Sequence, residues 1–379
     1  MVSFVYETHG RRRNMRNFEY IRWIGRTYTN IEEAAKYFYF TASGFETTFK
    51  GTMVKATFKS SKYDIPDKMA YLVALIDTDD PFAKENRTYA IDEAKKEIVI
   101  ANLENRKHTI KFLKRSEASD SSLALLSIET DGRFIMCDET GDFKMQFIAA
   151  SSSTGYGNLG NLSTAKSTGN SDGLKGFAYL TSYMLGAEVD IFAASGWGVT
   201  RGWNTGGRIS ETENIPEAYD YIAITDQNTI DRVIGKWDHF HYTPDVVVVN
   251  LGTNDFNSCG YENMTEEEKE KMETVFVTRY ADFIHKLADL FPKAHVIVAY
   301  GLMGDAAILE APTARAVALA NTRIGFERAY LFLMEAAGSN GNQFGSDYHP
   351  NVGTGINVAR SLAFFISRLS GRKIINEIK

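Results

Sequence analysis

Four consecutive valines, Val246 to Val249, stand between Pro244-Asp245 and Asn250-Leu251. An apolar run without helical period predicts a strand buried on both faces, as in a parallel sheet. Residues 145–148, 189–192 and 295–300 read the same way, so the strand begun by the valines is taken as 246–251. Between these runs the period changes to that of helices. The clearest helix opens with Thr265 and Glu268, a capping box. Met272, Phe276, Phe283, Leu287 and Leu290 then share one face, and Pro292 ends it. Further helices are predicted over residues 173–185, 313–337 and 353–369. Such alternation builds a parallel sheet with helices on both faces.

Before residue 143 the pattern differs. Short β-branched and aromatic runs at 37–40, 47–58, 69–76, 97–102, 109–113 and 123–128 are separated by turn residues, which predicts an antiparallel sandwich. The stretch Asp77-Thr78-Asp79-Asp80-Pro81 reads as a charged, solvated turn, because it lacks the spaced ligands and glycine of a calcium loop. The expected organisation is an all-β unit over residues 1–143 and an α/β unit over 144–379. A length of 379 residues suits two domains of this kind.

Composition narrows the partners. A net charge of −6 argues against nucleic acid, which requires clustered cations. Arg11-Arg12-Arg13 is read as a solvated turn near the N-terminus. The two cysteines, Cys137 and Cys259, fall in different predicted units, so no disulfide framework is expected. No apolar run is long enough to span a bilayer and the first residues lack an apolar signal core, which gives the expectation of a cytoplasmic protein without membrane contact.

Three stretches carry candidate chemistry. Gly252-Thr253-Asn254-Asp255 follows the valine strand, and ligands of open α/β sheets bind just beyond the carboxyl ends of strands. Asn254 offers an amide donor there and Asp255 a carboxylate. The strand at 145–148 runs into Ala149-Ala150-Ser151-Ser152-Ser153 and a glycine-rich turn, Gly155-Tyr156-Gly157-Asn158, so a hydroxyl is presented at a strand end. Near the C-terminus, Gly345-Ser346-Asp347-Tyr348-His349-Pro350-Asn351 places a histidine on a loop stiffened by proline, a candidate general base.

Serine, asparagine and histidine in this order resemble the SGNH (GDSL-type) hydrolases, and most closely carbohydrate esterase family 2. Phe147 to Ser151 resembles the strand that ends in the family's Gly-Asp-Ser. Ala194-Ser195-Gly196-Trp197-Gly198-Val199 resembles the second block, residues 244–256 the third, and Asp347-Tyr348-His349-Pro350 the last. Ser43-Gly44-Phe45-Glu46 with Phe49-Lys50-Gly51-Thr52 is similar to the signature of the family's β-domain. One departure stands out: Ala149-Ala150 occupies the place of Gly-Asp, which removes a carboxylate that would brace the turn.

The resemblance implies an SGNH fold, a flavodoxin-like parallel sheet with helices on both faces, behind a jelly-roll or sandwich domain. It implies Ser151 as nucleophile, with Ser153 the next choice, and His349 as base. The N–H groups of Ser151 and Gly196 and the Asn254 amide would be the oxyanion donors. Many SGNH hydrolases place the orienting Asp three residues before the histidine, where this chain has Ser346. Asp347, two residues before the histidine, is therefore a supporting member only, and the resemblance favours a main-chain carbonyl as the orienting group, which leaves a Ser–His dyad. Trp197, Trp203 and Tyr348 are candidate substrate contacts, with core packing equally open for the two tryptophans. His239 and His241 alternate as strand ligands of a metal do, but no third ligand follows, so neither metal nor cofactor is expected. The implied activity is metal-independent removal of acetyl groups from xylan-type oligosaccharides through an acetyl-serine. Alternatives are an esterase acting on lipid or aryl esters, or an impaired enzyme retained as a carbohydrate-binding protein. Whether copies of the chain associate as a homo-oligomer is left open.

Overall fold

The computed structural model describes residues 16–138 and 141–378; the Arg11–Arg13 cluster lies outside them. The antiparallel part is built from β1 (Ile21–Ile24), β2 (Thr27–Asn30), β3 (Ala35–Phe38), β4 (Gly44–Gly51), β5 (Val54–Ser60) and β6 (Ala70–Ile76). It continues with β7 (Arg87–Ile91), β8 (Lys95–Ile100), β9 (Arg106–Lys114), β10 (Leu123–Thr130) and β11 (Arg133–Ile135). One sheet runs β1-β4-β9-β6-β7, with β11 added on β4, and the other β2-β3-β10-β5-β8. Alternate residues face inward, as a period of two dictates. Phe45, Phe49, Phe58, Phe112 and Leu125 thereby meet in one apolar core. The apolar run at 47–58 is two strands rather than one. It breaks at Thr52-Met53, where the Asp131 carboxylate accepts both backbone N–H groups.

The parallel sheet comprises β12 (Lys144–Ala149), β13 (Glu188–Ala193), β14 (Val246–Asn250), β15 (His295–Tyr300) and β16 (Ala329–Leu333). Its order is β13-β12-β14-β15-β16, the flavodoxin-like 2-1-3-4-5 arrangement. The valine run explains itself: Val246 and Val248 enter the core on one face, Val247 and Val249 the core on the other. Helices Phe177–Leu185 and Val352–Ser370 cover the first face, and Glu266–Leu290 and Ala306–Ile324 the second. The capping box at Thr265 and Glu268 forms as read.

Residues 313–337 are not one helix. The helix ends at Ile324 on Gly325, whose φ of 88° suits the left-handed C-terminal position, and Ala329–Leu333 pairs in parallel with β15. An apolar segment of five residues has no length over which to show its period, so the edge strand was hidden behind the helix.

The two halves are bolted together by Arg26, buried completely. Its Nη1 donates to the Tyr219 carbonyl at 2.7 Å, and its guanidinium lies 4.1 Å over the Phe192 ring and 4.7 Å over Tyr219. No helix among the described residues is long and apolar enough to cross a membrane.

Candidate active site

The order of the parallel sheet reverses between β12 and β14, and crevices at such switch points are where ligands bind. Ser151 stands there. Ala150 is extended (φ −115°, ψ −154°), and Ser151–Ser153 then forms one 3-10 turn. The turn is anchored sideways. Ser152 Oγ donates to Asn250 Oδ1 at 2.8 Å, and Asn250 Nδ2 donates to the Ala299 carbonyl at 3.0 Å. This cross-strand tie braces the serine turn, where Ala149-Ala150 has no carboxylate to offer. Both alanines instead pack in the apolar cores. Ser153 is fully buried and cannot meet a substrate.

His349 arrives from the loop before the last helix. Its Nε2 lies 2.7 Å from Ser151 Oγ, and its Nδ1 lies 2.9 Å from the main-chain carbonyl of Asp347. A carbonyl only accepts, so Nδ1 carries the proton and Nε2 presents its lone pair to the serine hydroxyl. The geometry follows from backbone: Asp347 (φ 50°, ψ 42°) and Tyr348 (φ 60°) are both left-handed, and this turn aims the Asp347 carbonyl back at the ring. A bulky residue such as tyrosine is uncommon in that region. Close packing of the neighbouring loop allows it: Gly157, at φ 55°, passes so near that a Cβ there would sit 2.5 Å from Ser346 Cβ.

The Asp347 side chain does not orient the ring, which corrects its place among the catalytic groups. Its carboxylate accepts from the Tyr156 hydroxyl at 3.2 Å instead. Tyr156 in turn stacks on His349, centroids 4.1 Å apart. Burial, helped by the Asp347 charge, pushes the Tyr156 hydroxyl up to about 12, so it remains a donor. Burial also pulls the His349 imidazole below its usual range, against the opposing hydrogen bond to the Asp347 carbonyl and the charges of Glu117 and Asp347. The imidazole is thereby kept neutral.

Donors for an oxyanion gather at the same end of the sheet. The N–H groups of Ser151 and Gly196 have no acceptor among the described residues. Gly196 sits at φ 79°, a conformation that a side chain would strain. Asn254 follows β14, and its Nδ2 donates to the Trp197 carbonyl at 2.9 Å, which fixes the amide and leaves one of its two protons. Asp255 is no reagent: its buried carboxylate accepts the N–H groups of Val199, Thr200 and Arg201 at 2.7 to 3.0 Å and so shapes the loop after Gly196.

The two tryptophans part company. Trp197 is 0% exposed, packs in the core and donates through Nε1 to Asn228 at 2.6 Å, so it cannot be a sugar wall. Trp203, 63% exposed, lies beside Gly196, with its Cβ 3.3 Å from where a side chain on that glycine would begin. Tyr348, next to the histidine, is 67% exposed. His239 stacks on Tyr219 and His241 pairs with Asp238. No group of three His, Cys, Asp or Glu side chains among the described residues is placed to hold a metal. Tyr156 was passed over in the sequence, although an aromatic held between two glycines was a usable signal.

The family model described as Carbohydrate esterase 2 N-terminal matches residues 23–136, and that of GDSL-like Lipase/Acylhydrolase matches residues 148–354, more than half of the chain. The chain belongs to the GDSL-like lipase/acylhydrolase family, with a match to the N-terminal domain of carbohydrate esterase 2 in front. It is 25% identical over 321 residues to a cellulase/esterase, CelE, of Acetivibrio thermocellus, covering 83% of the chain but only 35% of that protein. It is 23% identical over 291 residues to an acetylxylan esterase / glucomannan deacetylase of Cellvibrio japonicus, 76% of the chain and 73% of the relative. Among solved structures, an acetyl xylan esterase (Est2A) from the rumen bacterium Butyrivibrio proteoclasticus superposes with a TM-score of 0.79 at 19% identity, over 93% of this chain and 96% of that one. A family two carbohydrate esterase from Clostridium thermocellum in complex with cellohexaose gives 0.77 at 23%, over 93% and 99%.

Proposed function

We propose that this chain removes O-acetyl groups from carbohydrate, xylan-type oligosaccharides among them, through an acetyl–Ser151 intermediate. The observation that carries the reading is the aligned dyad, His349 Nε2 at 2.7 Å from Ser151 Oγ, at the switch point of the sheet. Ser151 Oγ attacks the acetyl carbonyl while His349 Nε2 takes its proton. The negative charge that forms on the carbonyl oxygen meets the N–H groups of Ser151 and Gly196 and the remaining Asn254 amide proton. Collapse breaks the bond to the sugar oxygen, which receives the proton from His349. Water, deprotonated by the same imidazole, then attacks the acetyl carbon and releases acetate and free Ser151.

Trp203, beside Gly196, and Tyr348, next to His349 in the chain, are exposed aromatic side chains, which suits the apolar faces of sugar rings. The relatives' names supply the acetyl group and the xylan or glucomannan backbone as the substrate class. The aligned dyad and free donors favour turnover over a purely carbohydrate-binding role. The test is hydrolysis of 4-nitrophenyl acetate against longer acyl esters and against acetylated xylo-oligosaccharides, with Ser151→Ala as control. Ser151→Ala is expected to abolish release while leaving the fold intact. Equal or better turnover of long acyl esters would instead assign the chain to lipid substrates.

A further inference from the structure

Glu117 lies in the segment after β9, within the antiparallel half, and is 2% exposed. Its carboxylate leaves that half and grips one residue of the other. Oε2 accepts the Ser195 N–H at 2.9 Å, and Oε1 accepts the Ser195 hydroxyl at 2.8 Å. Ser195 directly precedes Gly196, whose N–H is one of the free donors at the dyad. A residue clamped by main chain and side chain together leaves the following peptide little freedom to turn its N–H away.

A carboxylate so deeply buried needs a cation. Lys166 supplies it, with Nζ 3.4 Å from Oε1 and in contact with Asp120 as well. Burial alone would raise the Glu117 carboxyl, but Lys166 and the two Ser195 donors bring it below the usual range, so the clamp is a charge. The same ammonium lies 5.3 Å over the Tyr156 ring, and Tyr156 stacks on His349. One ion pair therefore stands behind both the donor loop and the base. The halves are already joined by Arg26, which touches no active-site group, so joining them does not require a buried charge at the donor loop.

We propose that Glu117 is a positioning residue of the oxyanion hole, reaching across from the antiparallel half to hold the Ser195–Gly196 peptide in donor geometry. The inference rests on the esterase reading above. It assigns the β-sandwich a share in the transition state, because a charge-assisted bond from outside the parallel sheet sets a donor within it.

The test uses kcat and KM on 4-nitrophenyl acetate with thermal melts of each variant. Glu117→Gln keeps the size of the side chain but turns an amide N–H toward one of the Ser195 donors. Loss of a whole oxyanion donor costs about 10²–10³ in rate, so a misaimed one is expected to cost about 10- to 100-fold in kcat with KM within about threefold. Affinity for phenylboronic acid, whose tetrahedral adduct on Ser151 carries the oxyanion, should fall in parallel. Ser195→Ala removes only the hydroxyl arm of the clamp and should give a smaller fall in kcat; it serves also if Glu117→Gln fails to fold. Arg22→Met, which breaks the pairs of Arg22 with Glu46 and Glu188 without touching Glu117, Lys166 or Ser195, should shift the melt and leave kcat unchanged.

Wild-type kcat in both Glu117→Gln and Ser195→Ala would overturn the proposal, as would a loss that merely tracks the folded fraction. An inactive Ser151→Ala beside fully active Glu117→Gln and Ser195→Ala would sink this inference and leave the esterase reading in place. A wild-type protein without esterase turnover would remove the esterase reading and this inference with it.

Discussion

The imidazole of His349 takes its orientation from the main-chain carbonyl of Asp347, 2.9 Å from Nδ1, while the Asp347 carboxylate turns away to Tyr156. Two consecutive left-handed residues create this arrangement, so the orienting group is backbone and survives any side-chain change that tolerates the turn.

Asp347→Asn should therefore be mild. Asparagine is among the few residues at ease in the left-handed region, and the carbonyl stays in place. A triad that loses its carboxylate falls by about 10⁴ in kcat, whereas this substitution is expected to cost about tenfold or less. His349→Ala should be severe on the same substrate. Equal losses at the two positions would show that the carboxylate does act on the ring during turnover.

The pH profile follows from the environment of His349. Activity needs the neutral imidazole. Burial lowers its pKa, and the hydrogen bond to the Asp347 carbonyl and the charges of Glu117 and Asp347 only partly offset this, with Lys166 and Tyr156 packed close by. Protonation on the way down in pH removes the base, so the acid limb of kcat/KM for a non-ionising acetate ester should have its midpoint below about 6.5, the ordinary histidine value. A midpoint above that value would contradict the half-buried, neutral ring.

Asn250 tests the brace of the serine turn. Asn250→Ala leaves the Ser152 hydroxyl and the Ala299 carbonyl without their partner in a buried site. Each orphaned group costs about 1–3 kcal/mol, so a clear fall in the denaturation midpoint is expected, together with a lower kcat from a loosened nucleophile. Ser152→Ala removes one end only and should cost less of both. An unchanged midpoint in Asn250→Ala would mean that the turn is held by packing of Ala149 and Ala150 alone.

These features differ in how far they could be read in advance. The valine strand was plain because four like residues with no helical period admit one interpretation, and the blocks that resemble the family's pointed to Ser151, Gly196, Asn254 and His349 as the residues to propose for the site. The fate of Asp347 was half legible: a two-residue spacing raised the carbonyl as an alternative, but only the left-handed backbone at 347 and 348 decides it. Asp255 carries no outward sign that its oxygens are spent on the loop at 199–201. Glu117 was invisible, since nothing in its neighbourhood points to a serine 78 positions away. Pattern reports which face of an element is buried; it does not report which distant backbone a side chain will reach.

Trp197 and Trp203 show that limit most sharply, and they yield the last prediction. Six positions apart in a glycine-rich stretch, they look alike in sequence, yet one is in the core and the other is 63% exposed beside Gly196. Trp203→Ala should leave hydrolysis of 4-nitrophenyl acetate close to wild type, because that substrate needs no sugar wall. On acetylated xylo-oligosaccharides it should raise KM by about 2- to 12-fold, as removal of an aromatic contact worth about 0.5–1.5 kcal/mol implies. Trp197→Ala should do the reverse. Emptying a core site of that size costs about 3–5 kcal/mol, so the melt should drop steeply and both substrates should suffer alike through loss of folded protein. A Trp203→Ala variant that loses both substrates equally would place this ring in the support of the oxyanion loop and not in the sugar cleft.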